Sequence, residues 1–253
     1  MIPHLAMARI FLPLLLGAAA LVGAAALVRA APGAEATAPV AEIYANLTGE
    51  VLLDNARVRV QRYLIAPGQS TGARTAQGSQ LLVFIRGGVL TSTATGRAVL
   101  WRDGRVAWHG ANEQDAGSQN SGATPIILEW VMIKPVAHPA APAPGSPPKG
   151  YLNYPNIPGE DLLENDEVIV QRFTVAPGQW EGVHAHHPDM LYIHVRGGQW
   201  AARSYHEAQH SYPETSPDGE VGWMATIPLS EGHESGNVDH HPIDLLWVTL
   251  KQQ

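Results

Sequence analysis

The chain of 253 residues contains no cysteine, so it can form neither a disulfide nor a thiolate bond to a metal. A bound metal would have to be held by nitrogen, oxygen or thioether ligands. Lysine is scarce as well: there are three, Lys134, Lys149 and Lys251, and none lies in a patterned segment near the histidines. Schiff-base chemistry is therefore not expected. No window shows a sustained helical period, which argues against a helical bundle.

The first 30 residues differ in kind from the rest. Arg9 precedes Ile10–Leu27, a run without charge. Residues 28–30 (Val-Arg-Ala) then offer small residues at the spacing of a cleavage site, and residues 34–36 (Ala-Glu-Ala) offer a second choice. We predict a secretory signal peptide at 1–30 and a spacer at 31–42, so the mature protein is expected in the periplasm or outside the cell. A permanent anchor is the alternative, because about 18 apolar residues can span a bilayer.

Positive charge is also in short supply. The formal net charge is −7, and it becomes −9 once Arg9 and Arg29 leave with the signal peptide. This balance argues against nucleic acid and anionic membrane surfaces as partners.

An internal repeat organises the remaining chain. Residues 52–69 and 162–179 align without a gap at an offset of 110, with eleven of eighteen positions identical. Such a repeat predicts two similar structural units. We place them at 43–134 and 151–253, joined at 135–150 by a linker whose six prolines exclude it from a sheet or a helix.

Each repeat is predicted to consist of short strands. The signals are runs rich in β-branched residues that end at Pro or Gly: Val58–Ile65, Leu81–Ile85 and Ile126–Ile133 in the first repeat, and Val168–Val175, Leu191–Val195 and Ile243–Leu250 in the second. Asp-Gly turns at 102–105 and 217–220 add a further strand start to each. The pattern predicts an all-β sandwich or small barrel in each repeat.

A histidine cluster distinguishes the second repeat. Residues two apart in a strand point to the same side, so His184 and His186 present two imidazoles to one face. Antiparallel pairing can bring His233 alongside from a distant strand. Three converging imidazoles predict a metal site with positions left open to water or substrate.

The spacing of these residues resembles the two motifs of the cupin superfamily. The first motif is matched by Gly178, His184, His186, the position of Met190, and Gly197; the second is matched by Gly222, Pro228, His233 and Asn237, with its internal glycine displaced to Gly232. By this resemblance the chain is a bicupin. The resemblance implies two tandem double-stranded β-helix (jelly-roll) barrels, and a divalent transition metal wherever the ligands are kept.

Two departures from the cupin pattern bear on the metal. Met190 replaces the glutamate ligand, and a thioether is a weak substitute for a carboxylate on Fe(II) or Mn(II). The first repeat has Arg74, Ala76 and Gln80 at the aligned places, with Ala116 opposite His233 if the closing prolines set the register. We therefore expect a three-histidine site in the second repeat and no metal in the first. The alternative is a relic polar cluster that binds no metal.

Tyr192 and His194 are candidate catalytic residues. Both share the parity of Met190 and should point inward, where they could form a general acid/base pair or donate hydrogen bonds to metal ligands. For His194, a satisfied core histidine is an equally good interpretation.

The remaining histidines are interpreted as non-functional. We expect His187 to be exposed, because it sits at a turn with the opposite parity. His206 to His210 forms an H-E-x-x-H pattern, but it lacks the long helix that zincin chemistry needs. His240 and His241 precede a proline and are expected at the surface.

The expected function is that of an exported bicupin with one three-histidine metal site, acting as a small-molecule dioxygenase on an anionic, chelating substrate. Fe(II) is the first choice of metal, with Mn, Ni and Zn as alternatives. Two other classes remain open: a non-catalytic module that binds or senses a small ligand, and a metal-dependent isomerase or lyase. A homodimer is also left open.

Overall fold

The computed structural model describes residues 43–135, 144–204 and 213–251. Within these ranges the chain is almost entirely β-strand, and the 3-10 turn Leu229–Glu231 is their one helical element. The prediction of an all-β fold is confirmed. The predicted signal peptide and spacer lie outside the described residues, so both stay predictions.

The described strands divide between the two repeats. Those of the first are β1 (Glu50–Asp54), β2 (Val58–Ile65), β3 (Arg74–Thr75), β4 (Gln80–Arg86), β5 (Gly88–Ser92), β6 (Ala98–Trp101), β7 (Val106–His109), β8 (Gln114–Asp115), β9 (Ser118–Asn120) and β10 (Ile126–Ile133). Those of the second are β11 (Glu160–Glu164), β12 (Val168–Val175), β13 (Met190–Arg196), β14 (Gly198–Ser204), β15 (Glu214–Ser216), β16 (Val221–Met224), β17 (His233–Asn237) and β18 (Ile243–Leu250).

The large sheets of the two repeats have the same topology. The first has the antiparallel order β1-β2-β10-β4-β7, and the second has the order β11-β12-β18-β13-β16. Even the irregularity in the edge pairing recurs, between Val51 and Leu53 in one repeat and between Asp161 and Leu163 in the other. Equivalent sequences therefore occupy equivalent places.

Smaller sheets complete each repeat. In the first they are β6-β5-β9 and the short pair β3-β8; in the second the order is β15-β14-β17. Beyond the named strands, His184 bridges His233 and His186 bridges Ile227. That each repeat closes into a separate barrel stays a prediction.

The largest hydrophobic cluster is shared by the two repeats. Alternate residues of the large sheets meet in it, and its fully buried members include Val60, Leu81 and Val131 of the first repeat and Leu191 and Val248 of the second. Each repeat also has an interior cluster of its own on the other face of its large sheet, around Tyr63 and Trp130 in one and around Phe173 and Trp247 in the other. Each large sheet is thus buried on both faces, which fits the apolar runs of its central strands.

The described end of the linker forms no strand. Residues 144–150 run outside the sheets, and Lys149 Nζ donates to Asp189 Oδ2 at 2.8 Å and to the Leu250 carbonyl at 3.0 Å. Residues 136–143 of the predicted linker lie outside the described ranges. Among the described residues, no helix has the length and apolar character needed to cross a membrane.

Candidate metal centre

Three imidazoles meet at one point in the second repeat. His186 Nε2 is 3.0 Å from His184 Nε2 and 2.8 Å from His233 Nε2. These nitrogens form a group of potential metal ligands in which all atoms lie within 4.8 Å of one another. The predicted convergence of the three histidines is therefore present.

Backbone pairing holds the three side chains together. The N–H of His184 donates to the His233 carbonyl at 2.8 Å, and the reverse bond is 3.0 Å. His186 exchanges two bonds of 3.1 Å with Ile227 in the same way. A narrow antiparallel ladder thus places two imidazoles of one segment beside the third, as the alternation of strand side chains requires.

The orientation of His184 suits a metal ligand. Its Nδ1 lies 2.8 Å from the carbonyl oxygen of Gly182, which can only accept a hydrogen bond. Nδ1 therefore carries the proton, and the lone pair of Nε2 faces the other two imidazoles. A hydrogen bond from the second ring nitrogen to a carbonyl is the usual way in which proteins orient a ligating histidine.

The spacing of the nitrogens fits one transition-metal ion. Metal–nitrogen bonds of about 2.1 Å at right angles place neighbouring ligand nitrogens about 3.0 Å apart. The separations of 2.8 and 3.0 Å match this value. A divalent metal is thus supported by the donor set, and three ligands leave other positions open.

The imidazoles are neutral at physiological pH. Burial, followed by the neighbouring His233, lowers the pKa of His184 to about 3. Burial lowers the pKa of His233 to about 4. Burial also takes the pKa of His186 well below its ordinary value, and the three histidines near His186 add to this effect. Metal ligation requires neutral imidazole, so these pKa shifts keep the ligands available.

Aromatic rings surround the cluster. The ring centroid of Tyr154 is 4.5 Å from that of His184, and the centroid of Trp247 is 4.9 Å from that of His186. Trp247 Nε1 donates to the Tyr154 hydroxyl at 2.6 Å. The wall behind the imidazoles is therefore rigid and largely apolar, which excludes water from that side.

Glu181 also lies at the cluster, and sequence reasoning missed it. It is 2% exposed, and its Oε2 is 3.9 Å from His184 Nε2. Burial raises the pKa of Glu181 to about 8, against the lowering effect of hydrogen bonds from the Ser235 N–H and the Tyr154 hydroxyl. Three residues before His184, Glu181 does not share its strand parity. The available signal was an acidic residue between Gly178 and His184, a stretch of the motif that has no other charged residue.

Met190, Tyr192 and His194 are buried in the second repeat. Met190 is fully buried and belongs to the interior cluster that contains Tyr192 and Trp247. The Tyr192 ring lies 5.6 Å from that of Trp247, which in turn contacts His186. His194 stacks on Trp200 at 5.6 Å, and its Nδ1 is 3.4 Å from Glu220 Oε2. The inward orientation of Tyr192 and His194 is as expected, and their catalytic role stays a prediction.

The expected exposure of His187 is wrong. Its side chain is buried, and its Nε2 lies 3.4 Å from the Tyr151 carbonyl. The parity argument fails because the segment around it makes isolated bridges rather than a regular strand, and Asp189 turns the chain with a φ of 60°. His240 and His241 are exposed, as predicted. His206 and His210 lie outside the described residues.

The equivalent place in the first repeat holds an ion pair. Arg74 stands where His184 does, and its Nε is 3.3 Å from Asp115 Oδ2. The register of the closing prolines implied that Ala116 is equivalent to His233. In the structure Asp115 pairs with Arg74 as His233 pairs with His184, so Asp115 is the equivalent residue. Gly117, with a φ of 84°, bends the chain between β8 and β9 and shifts the register of the pairing. Gln80, in the place of Met190, accepts hydrogen bonds from Arg74 and from Trp130 Nε1.

Comparison with known proteins gives likeness in structure alone. No family model and no curated protein matches the sequence of the chain. Among solved structures, AerE from Microcystis aeruginosa is similar over 82% of this chain and 94% of its own, with a TM-score of 0.58 and 12% identity.

Two further solved structures are similar over most of their length. Protein Ylba from E. coli shares 10% identity over 85% of this chain and 86% of its own, with a TM-score of 0.54. The salicylate 1,2-dioxygenase from Pseudaminobacter salicylatoxidans shares 9% identity over 82% and 77%, with a TM-score of 0.51. Taken with the repeated sheet order and the histidine cluster that the two motifs predicted, these likenesses show that the chain has the cupin fold.

Proposed function

We propose that the second repeat is the active unit of a metal-dependent oxidoreductase, most simply a dioxygenase that acts on a small anionic molecule. His184, His186 and His233 would hold the metal. The observation that carries the proposal is the meeting of three neutral imidazole nitrogens at separations of 2.8 and 3.0 Å. Fe(II) is the first choice, because it combines imidazole ligation with oxygen chemistry.

The bound metal would act as a Lewis acid and as the site at which O2 and substrate meet. The protein's own part is to bind and to orient. His184 is fixed by its bond to the Gly182 carbonyl, and the rings of Tyr154 and Trp247 shield the ligands from water. Such exclusion of water strengthens the electrostatic interactions of a site.

An anionic substrate follows from the charge of the donor set. Three imidazoles contribute no negative charge, so a divalent cation would keep a net positive charge that attracts an anion with two donor atoms. A salicylate 1,2-dioxygenase is among the structures of similar fold, and so this fold accommodates that class of reaction. The likeness itself concerns fold and does not carry the substrate over.

The test combines metal analysis with oxygen uptake. The purified protein is loaded with Fe(II) without air, small carboxylic acids and diketones are screened by thermal shift, and the binders are tested on an oxygen electrode. We expect oxygen uptake that requires Fe(II) and is lost in His184→Ala but kept in the matched control His240→Ala. Ligand-induced stabilisation without turnover would instead identify a binding module, and turnover without oxygen uptake would identify an isomerase or a lyase.

A further inference from the structure

The second repeat contains a buried carboxylate that has no counterpart in the motif match. Glu181 is 2% exposed and lies 3.9 Å from the nitrogen of His184 that faces the other imidazoles. The motif position that carries a carboxylate in cupins is occupied here by Met190. The chain therefore has no acidic group at the motif position, and it has one at another position beside the cluster.

In the part of the chain that the structure describes, Glu181 is not paired with a basic side chain. Among the described residues its one ionic contact is with His184, one of the three clustered imidazoles. Glu234 provides the contrast: it is also buried beside a ligand, but it is paired with Arg203. A buried carboxyl group without a basic partner is costly to ionise, and a bound metal ion would supply the missing positive charge.

Hydrogen bonds hold the Glu181 carboxylate in place. The Ser235 N–H donates to its Oε2 at 3.2 Å, and the Tyr154 hydroxyl donates to the same carboxylate. Tyr154 is itself fixed, because its hydroxyl accepts a hydrogen bond from Trp247 Nε1 at 2.6 Å. The backbone around Ser235 belongs to β17, the strand that begins with His233. The elements that hold the imidazoles therefore also hold the acid.

We propose that Glu181 supplies the acidic group of the metal centre, in place of the carboxylate that the cupin motif puts at position 190. This rests on the proposed metal site of the second repeat. The carboxylate balances part of the charge of the metal, at the side of His184, and so raises the affinity of the site. Glu181 thereby leaves position 190 free for an apolar side chain in the interior cluster.

The test measures metal binding rather than turnover. Mn(II) is titrated into the metal-free full-length protein by calorimetry, and the bound ion is examined by electron paramagnetic resonance. We expect Glu181→Gln to raise the Kd for Mn(II) about 10- to 100-fold, the usual effect of losing a group that supports metal ligands, and to change the spectrum. Glu181→Asp, which keeps the charge, should recover much of the affinity. Glu129→Gln, the same change at a buried glutamate of the first repeat, should alter neither the Kd nor the spectrum.

The outcomes separate this proposal from the metal site itself. Failure of the unaltered protein to bind Mn(II), Fe(II) or Zn(II) would overturn both. An unchanged Kd and spectrum in Glu181→Gln, with binding abolished in His184→Ala, would overturn the role of Glu181 alone. Should Glu181→Gln not fold, Tyr154→Phe tests the same arrangement: loss of one hydrogen bond to the carboxylate should raise the Kd about 2- to 10-fold, and no change would count against the proposal.

Discussion

Single side chains decide where a metal can bind in this molecule. The three imidazoles of the second repeat are buried or half-buried and neutral, whereas the aligned residues of the first repeat form an ion pair between Arg74 and Asp115. The guanidinium of Arg74 takes the place of an imidazole and already binds the Asp115 carboxylate, so the aligned residues of the first repeat do not form a metal site.

We therefore predict one metal per chain. Changing His184, His186 or His233 to Ala should remove it, because two imidazoles hold a divalent ion much more weakly than three. His210→Ala and His206→Ala should leave the occupancy intact. The measurement is metal content per chain by mass spectrometry. A stoichiometry near two, or loss of the metal in His210→Ala, would contradict the assignment.

Met190 offers a second test at the scale of one residue. If its side chain occupies the vacant carboxylate place, Met190→Glu should tighten Fe(II) or Mn(II) binding, because it adds a hard, charged ligand. The same change should weaken the binding of an anionic substrate, since the site loses one unit of positive charge. Both affinities are measurable by calorimetry. An unchanged metal affinity would mean that position 190 does not face the metal.

Glu129 provides a pH-dependent prediction away from the metal. Arg62 donates hydrogen bonds of 2.9 and 3.3 Å to its carboxylate, which lower its pKa, but burial is the larger effect and raises the pKa from 4.5 to about 7. The folded protein thus keeps this proton at a pH where the unfolded chain has lost it. The resulting stabilisation is present below pH 4.5 and is lost as the pH rises through 7.

Glu129→Gln should remove that loss. Relative to the unaltered protein, its free energy of unfolding should rise between pH 4.5 and pH 7, by up to about 3 kcal/mol. Urea denaturation at several pH values, with a chelator present, measures the difference. Glu231→Gln at an exposed position is the control. A pH-independent difference between Glu129→Gln and the unaltered protein would show that the Arg62 pair keeps Glu129 ionised.

Strands were the most predictable elements. The bounds predicted for β2, β10, β12 and β18 are those of the structure. A proline directly precedes β10 and β18, and Ala-Pro-Gly directly follows β2 and β12. The errors fall where the chain leaves regular strand. His187 was predicted to be exposed from the alternation of a regular strand, which its segment of isolated bridges does not follow. Ala116 was aligned with His233, but the bend at Gly117 puts Asp115 at that place.

Glu181 shows the same limit at the site. Its neighbour Gly182 has a φ of 83°, a backbone conformation that favours glycine, and the turn there brings the carboxylate to His184. Alternation along a strand predicts that two residues three apart face opposite sides. The ligand residues could thus be found from spacing alone, whereas the acidic group beside them could not.

The strand β13 separates two environments. Leu191, Ile193 and Val195 face the core shared by the repeats, while Met190 and Tyr192 face the interior of the second repeat. Leu191→Ala should lower the free energy of unfolding by about 2–5 kcal/mol through the cavity it leaves. Because that core belongs to both repeats, we expect one unfolding transition, shifted as a whole.

Scanning calorimetry provides the measurement for Leu191→Ala. Leu100→Ala, at a leucine that is 64% exposed, is the matched control and should change the free energy of unfolding by no more than about 0.5 kcal/mol. Two resolved transitions, of which Leu191→Ala moves one, would mean that the repeats unfold independently.

At the scale of the whole molecule, export is the open proposal. We propose that the mature protein begins near Ala31 or Thr37, because the uncharged run at 10–27 ends in small residues. N-terminal sequencing of protein from the native host should find one of these starts in a fraction free of membrane. Retention of Met1 in the membrane fraction would identify the segment as an anchor.

Because the two repeats share one core, metal binding to the second repeat should also stabilise the first. A ligand that binds only the folded state stabilises it by about 4 kcal/mol at a thousandfold excess over its Kd. Since valines and leucines of both repeats pack in one cluster, this free energy should also oppose those openings of the first repeat that break the shared core and with it the binding site. Amide hydrogens of β2 and β4 would then exchange more slowly when an ion occupies the other repeat, and the metal-free repeat would act as a reporter of a site it does not contain.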